Sequence, residues 1–154
     1  QTQDLEFLFD ELVEIALRAL SPGINDPFTA ITSLHWLGAA MAELGHRNLD
    51  RGPEQDNYDR NRVQPLDDDF EHFLKRSFGG IRASAAGSPL ASKKFIDALQ
   101  TASLACNSDS RRRLLLEEGT KLAIQARTNM QGPSLEELEE RFDNFVEAIQ
   151  KLGI

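Results

Sequence analysis

"ALRALSPGINDPFTAITSL", residues 16–34, is the stretch on which the fold turns. Apolar residues at helical spacing run up to Leu20, and a second apolar run resumes beyond Pro27. Between them stand Ser21, Pro22, Gly23, Asn25 and Asp26. Pro22 cannot continue the first helix, because it lacks the N–H and its ring clashes with the preceding turn. Gly23 is expected to take the positive φ of a tight reversal. Asp26 suits the N-cap of a second helix and Pro27 its first position. Thr29 falls third, where its backbone N–H donates to the Asp26 carboxylate. Asn25 is placed to bond a nearby backbone group in an Asx-type turn. The stretch therefore reads as helix, corner, helix.

Working outward, the first helix is expected over residues 4–20. Leu5, Leu8, Phe9, Leu12, Val13, Ile15, Ala16, Ala19 and Leu20 cover most of its circumference, with Glu6, Asp10, Glu14 and Arg18 as a narrow polar strip. Glu14 and Arg18 are spaced for an exposed ion pair. So apolar a helix is expected at the centre of a bundle. The second runs to about Gly45, with Ile31, Leu34, Met41 and Leu44 as its stripe. Its Gly38, Ala39, Ala40 and Ala42 admit a neighbouring backbone.

Residues 46–66, opening "HRNLDRGPEQDNYDRNRVQP", are polar and aperiodic and read as a long surface connection. A third helix follows "DDD" (67–69), which supplies caps and dipole-favoured charge; Gly79 and Gly80 should weaken or kink it. The fourth opens with Ser88-Pro89 and the fifth covers residues 109–130. The sixth starts with Ser134 and Glu137 as a capping box. The expectation is an all-α, single-domain bundle of about six helices over residues 1–154, with short turns and one long polar loop after the second helix.

With 17 basic and 25 acidic residues the net charge is −8. That balance argues against nucleic acid, whose binding rests on basic footprints. The lone Cys106 forms no internal disulfide and reads as a small core residue. No segment spans a bilayer: "PFTAITSLHWLGAAMA" (27–42) is too short and is interrupted by Thr29, Thr32, Ser33 and His35. The sequence opens on Gln1 rather than methionine, as a piece of a longer chain would.

Candidate chemistry is sparse. Ser21, Asn25, Asp26 and Thr29, with His35 two turns further on, form a possible ligand or docking corner, set against the plain reading that the corner only turns the chain. His35, between Leu34 and Trp36, reads as a hydrogen-bonded core histidine rather than a catalyst. Asp68 or Asp69 with His72 has metal-ligand spacing but no second cluster, so no metal is assigned. No nucleophile elbow or phosphate loop is present, and the reading is a non-enzyme without cofactors. "RRR" (111–113) reads as a solvated face, with Arg113 and Glu117 paired, or as a contact for lipid headgroups or an acidic partner.

"LVEIALRALSPGINDPFTA" (12–30), preceded by "QTQDLEF", resembles the signature of a large bacterial family of predicted membrane proteins, domain of unknown function 2254. "FGGIRASA" (78–85) is a looser match. Leu8 and Asp10-Glu11 depart from the family pattern, so no contact of that first-helix face carries over. The resemblance implies transmembrane helices upstream, a parent protein in the bacterial cell membrane and this domain on the cytoplasmic side. It brings no activity, cofactor or catalytic residue. The expected function is that of a soluble C-terminal helical module assembling with or regulating the upstream transmembrane part of its own chain. Self-association is a further expected partner mode. A small-molecule or ion-binding sensor is the alternative.

Overall fold

Thr2–Ala19 forms α1 and Pro27–His46 forms α2, with the corner between them. Leu66–Leu74 (α3), a π-helical turn at Lys75–Gly79 and Gly80–Ala85 (α4) follow one another as a single rod. Pro89–Ala105 (α5), Asp109–Asn129 (α6) and Pro133–Gln150 (α7) complete the all-α bundle. The computed structural model describes residues 2–47 and 66–153, and the side chains of 4–47 and 69–153. The long polar connection expected at 46–66 lies outside the described residues except at its ends.

α5 occupies the centre and packs against α2, α6 and α7. Phe95, Ile96, Leu99 and Ala102 are buried on it, with Leu34, Leu37 and Met41 from α2 and Leu138, Phe145 and Ile149 from α7 in the same core. Small residues set the spacing. A Cβ added at Gly38 would lie 2.8 Å from Ala98 Cβ, and one at Gly119 would lie 2.8 Å from the Phe145 ring. Ser88 and Ser108 cap α5 and α6 with their hydroxyls.

The central placement expected of α1 is not what the chain adopts. α1 packs on α2, on the π turn and α4, and through Phe9 on α3, burying one line of Phe9, Ala16 and Ala19. Phe7, Leu8, Ile15 and Leu17 stay exposed. Apolarity around the circumference permits burial on all sides but does not supply the neighbours; α5, flanked by three helices, has them. Phe9 stacks on Phe73 at 4.7 Å between centroids. Asp10 accepts from Arg76 Nε and Nη2 at 2.6 and 2.8 Å, which fastens α1 to the π turn. That pairing holds the Asp10 carboxyl below its usual pKa and raises Arg76.

Other local expectations shift for identifiable reasons. The irregularity foreseen at Gly79-Gly80 is the π turn, where the buried Ser77 hydroxyl donates to the Phe73 carbonyl at 2.6 Å in competition with the regular ladder. α3 begins at Leu66, so Asp67–Asp69 lie in its first turn rather than ahead of it. The Ser134–Glu137 capping box does not form. Pro133 starts α7 with Gly132 (φ 66°) at the N-cap, two residues ahead of Ser134, and Glu137 pairs with Lys93 at 3.1 Å.

The arginine run is not a solvated face. Arg111 is 1% exposed. Its guanidinium lies 5.4 Å from the Phe70 ring centroid and donates to the carbonyls of Leu44, Gly45 and Arg47. Arg112 donates to the carbonyls of Cys106 and Ser103 and pairs with Asp109. The last carbonyls of α2 and α5 lack the i+4 donors of a continuing helix. The backbone N–H groups of Arg47, Cys106 and Asn107 meet part of that need and the two forks of donors add to it. Arg113 alone of the three is exposed, and Glu117 pairs with Lys121 instead.

Candidate functional site

The corner is held by its own hydrogen bonds. Asp26 N–H donates to the Ala19 carbonyl at 2.7 Å, and Ile24 and Asn25 N–H donate to the Ser21 carbonyl at 3.1 and 2.8 Å. The Ser21 hydroxyl turns back to the Arg18 carbonyl at 2.7 Å. Asn25, not Gly23, takes the left-handed conformation, with φ 47°. Asparagine tolerates that region better than most residues, which frees Gly23 from the role expected of it. Asp26 caps α2 as anticipated: Oδ1 accepts from Thr29 N–H at 3.2 Å and Oδ2 accepts from the Thr29 hydroxyl. These bonds hold the Asp26 carboxyl below its usual pKa.

Ser21, Asp26 and Thr29 thus spend their side chains within the corner, while Asn25 is exposed. His35 is not brought to them. It lies six residues beyond Thr29, about 9 Å along the helix, and points outward to Lys94 Nζ at 3.4 Å and edge-on to Trp36. Its expected place in the core is taken by Leu34 and Leu37, because α2 presents residue 35 on its solvent side. His72 is exposed beside Glu6, with Nε2 3.4 Å from Oε1, and Asp68's side chain lies outside the described residues. No three His, Cys, Asp or Glu side chains gather among the described residues. Burial pushes the Cys106 thiol up to about 11.

What the residue-by-residue reading missed is a groove. Between α1 and α2 a depression of ≈ 470 Å³ is lined by Leu8, Leu12, Ile15, Trp36 and Ala40, with Glu11 at its side. A second, of ≈ 220 Å³, continues it past Ala19 to Ile24, Asp26 and Thr29 at the corner, and Ile15 belongs to both. Trp36 is 57% exposed, Leu8 55% and Ile15 45%. The chain's one tryptophan is therefore a surface residue on an apolar track. The signal was in the sequence: α1 carries more apolar residues than one packing face needs.

The family pattern of predicted membrane proteins called DUF2254 matches residues 1–101. The chain belongs to that family. It is 34% identical over 115 residues to uncharacterized proteins of Mycobacterium tuberculosis (strain H37Rv) and Mycobacterium bovis, a match covering 71% of this chain and 21% of each relative. The chain thus spans about a fifth of the length of the curated relatives it matches. No solved structure matches it. The matched region takes in α1, the corner, α2 and most of α5, hence the whole groove. Among the described residues no helix is long and apolar enough to cross a membrane.

Proposed function

We propose that this part of a DUF2254 protein is a helical module lying outside the bilayer on its cytoplasmic side. It docks to the membrane-embedded part of the same polypeptide and assists its assembly or regulates it. The observation that carries the reading is the open apolar groove between α1 and α2, left unfilled by the other described residues in a chain of a predicted membrane-protein family. The corner serves this by fixing how α1 lies on α2, and so the width of the groove. The side chains of Ser21, Asp26 and Thr29, already bonded within the corner and to the end of α1, are structural.

The test is association. The membrane part, expressed separately in detergent or nanodiscs, is expected to retain this chain through purification. Failure to associate, together with normal behaviour of a full-length protein lacking the module, would sink the proposal.

A further inference from the structure

We infer that the α1–α2 groove seats a cationic amphipathic helix, an apolar stripe flanked by lysine or arginine, contributed by the membrane-embedded remainder of the same polypeptide. The inference rests on the docking reading and adds the occupant's chemistry to it. Shape comes first. The two depressions join through Ile15 and run from the Leu5 end of α1 to the corner. The 18 residues of α1 extend about 27 Å, room for roughly five turns of a third helix laid along the seam. Leu8, Ile15 and Trp36 supply the apolar floor, the pattern of a groove that receives one helix face.

Charge selects among occupants. Glu11 lines the groove, and Asp4, seven residues before it, stands on the same line of α1. Glu43 stands seven residues beyond Trp36 on the facing line of α2. The one basic residue of α1, Arg18, lines the second depression and is engaged with Glu14 at 2.6 Å, beside Asp26. The rim is therefore acidic. A second copy docked groove to groove through a two-fold axis would set one acidic rim against another. An anionic lipid surface would be repelled by the same rim. A helix with Lys or Arg flanks is attracted, and cytoplasmic segments next to membrane spans are where such residues concentrate.

The experiment uses the full-length protein in membranes, with a benzophenone photo-crosslinking residue replacing Leu8 or Trp36, and replacing the exposed Leu104 of α5 as control. Irradiation is expected to give an intrachain adduct from the two groove positions and not from Leu104, mapping by mass spectrometry to a Lys/Arg-flanked segment. Ile15→Asp, or Asp4→Lys with Glu11→Lys, should cut its yield about tenfold, as expected when a central contact is lost. Unchanged thermal unfolding of these surface variants would show that the fold is intact. An adduct to a second copy, to lipid or to an acidic segment overturns the inference, as does a yield no greater than at Leu104. If the separately expressed membrane part still retains the module while the groove adduct is absent, the occupant is wrong and docking itself stands. If retention is lost as well, both fall.

Discussion

Gly38→Ala measures how tightly the core is set. At Gly38 a methyl group would meet Ala98 Cβ at 2.8 Å, its Cα at 3.1 Å and its carbonyl oxygen at 3.2 Å. None of these is the free end of a flexible side chain, so α2 and α5 must part by about half an ångström or more to reach ordinary contact. Alanine is favoured over glycine in a helix interior by about 1 kcal/mol. Overpacking a well-filled contact costs about 1–3 kcal/mol. Here the strain also loosens Leu34, Leu37 and Met41 against the α5 side chains, so the upper part of that range applies. The net expectation is a loss of about 1–2 kcal/mol, or roughly 2–8 °C in Tm for a domain of this size. Urea unfolding should show a lower midpoint with an unchanged slope.

Gly80→Ala provides the opposite sign. Its backbone is helical, with φ −70° and ψ −30°, and an added methyl meets nothing nearer than Val13 Cγ1 at 3.9 Å. It should stabilise by about 0.5–1 kcal/mol through the propensity difference alone. Adding Ala98→Gly to Gly38→Ala should give a double variant less destabilised than the sum of the two single changes, since one of the three close contacts disappears. Ala98→Gly carries its own helix cost of about 1 kcal/mol. A Gly38→Ala protein as stable as the parent would refute the close approach of α2 and α5, and with it the packing at the centre of the bundle.

Three further outcomes are expected. Arg111→Met should destabilise by about 2–4 kcal/mol in urea titration, because buried carbonyls at the end of α2 lose a charged donor. Asp10 and Asp26 both have lowered folded-state pKa values, so each contributes stability that is fully present above the unfolded value of 3.8 and is lost as pH falls through the lowered one. Asp10→Asn should therefore flatten the fall in Tm below about pH 4, while leaving its shape above pH 5 unchanged. Cys106, with its thiol near 11, should react with Ellman's reagent at pH 8 only at the rate of unfolding and at once in denaturant. Fast native-state labelling would contradict its burial.

The all-α class and all six helical rods were legible because the local signals agreed with one another: Asp26-Pro27 and Ser88-Pro89 are starts that propensity and packing both accept. The errors came where a local signal had a tertiary competitor. Ser134 and Glu137 fit a capping box, yet Pro133 sets the start of α7 and Lys93 claims the glutamate. Arg111 looked solvated until α2 ended beside it with carbonyls to satisfy. Gly23 looked like the reversal residue, but the bond from Asp26 N–H to Ala19 places the left-handed residue at Asn25. Of the candidate site, the corner's cap was readable from spacing. His35's outward direction was not, and of the groove only the surplus of apolar residues on α1 was, because each depends on which neighbours α1 and α2 have.

The groove's strength bears on where its occupant comes from. Fully burying a large apolar side chain contributes about 1.5–3 kcal/mol. Leu8, Ile15 and Trp36 are each about half exposed, so covering them yields roughly 3–4 kcal/mol in all. The occupant's own apolar stripe, buried in turn, contributes about as much again. After at least about 4 kcal/mol of lost translational and rotational freedom, a free partner would be held no better than millimolar. A tethered partner is different, since a short linker supplies an effective concentration of about millimolar and the same contact is then substantially occupied. Electrostatic attraction to Asp4, Glu11 and Glu43 adds to either case but is weakened by salt at an exposed rim. An open apolar track of this modest depth therefore suits a segment of its own polypeptide, and a contact poised near half occupancy is one that a small change in the membrane part could make or release.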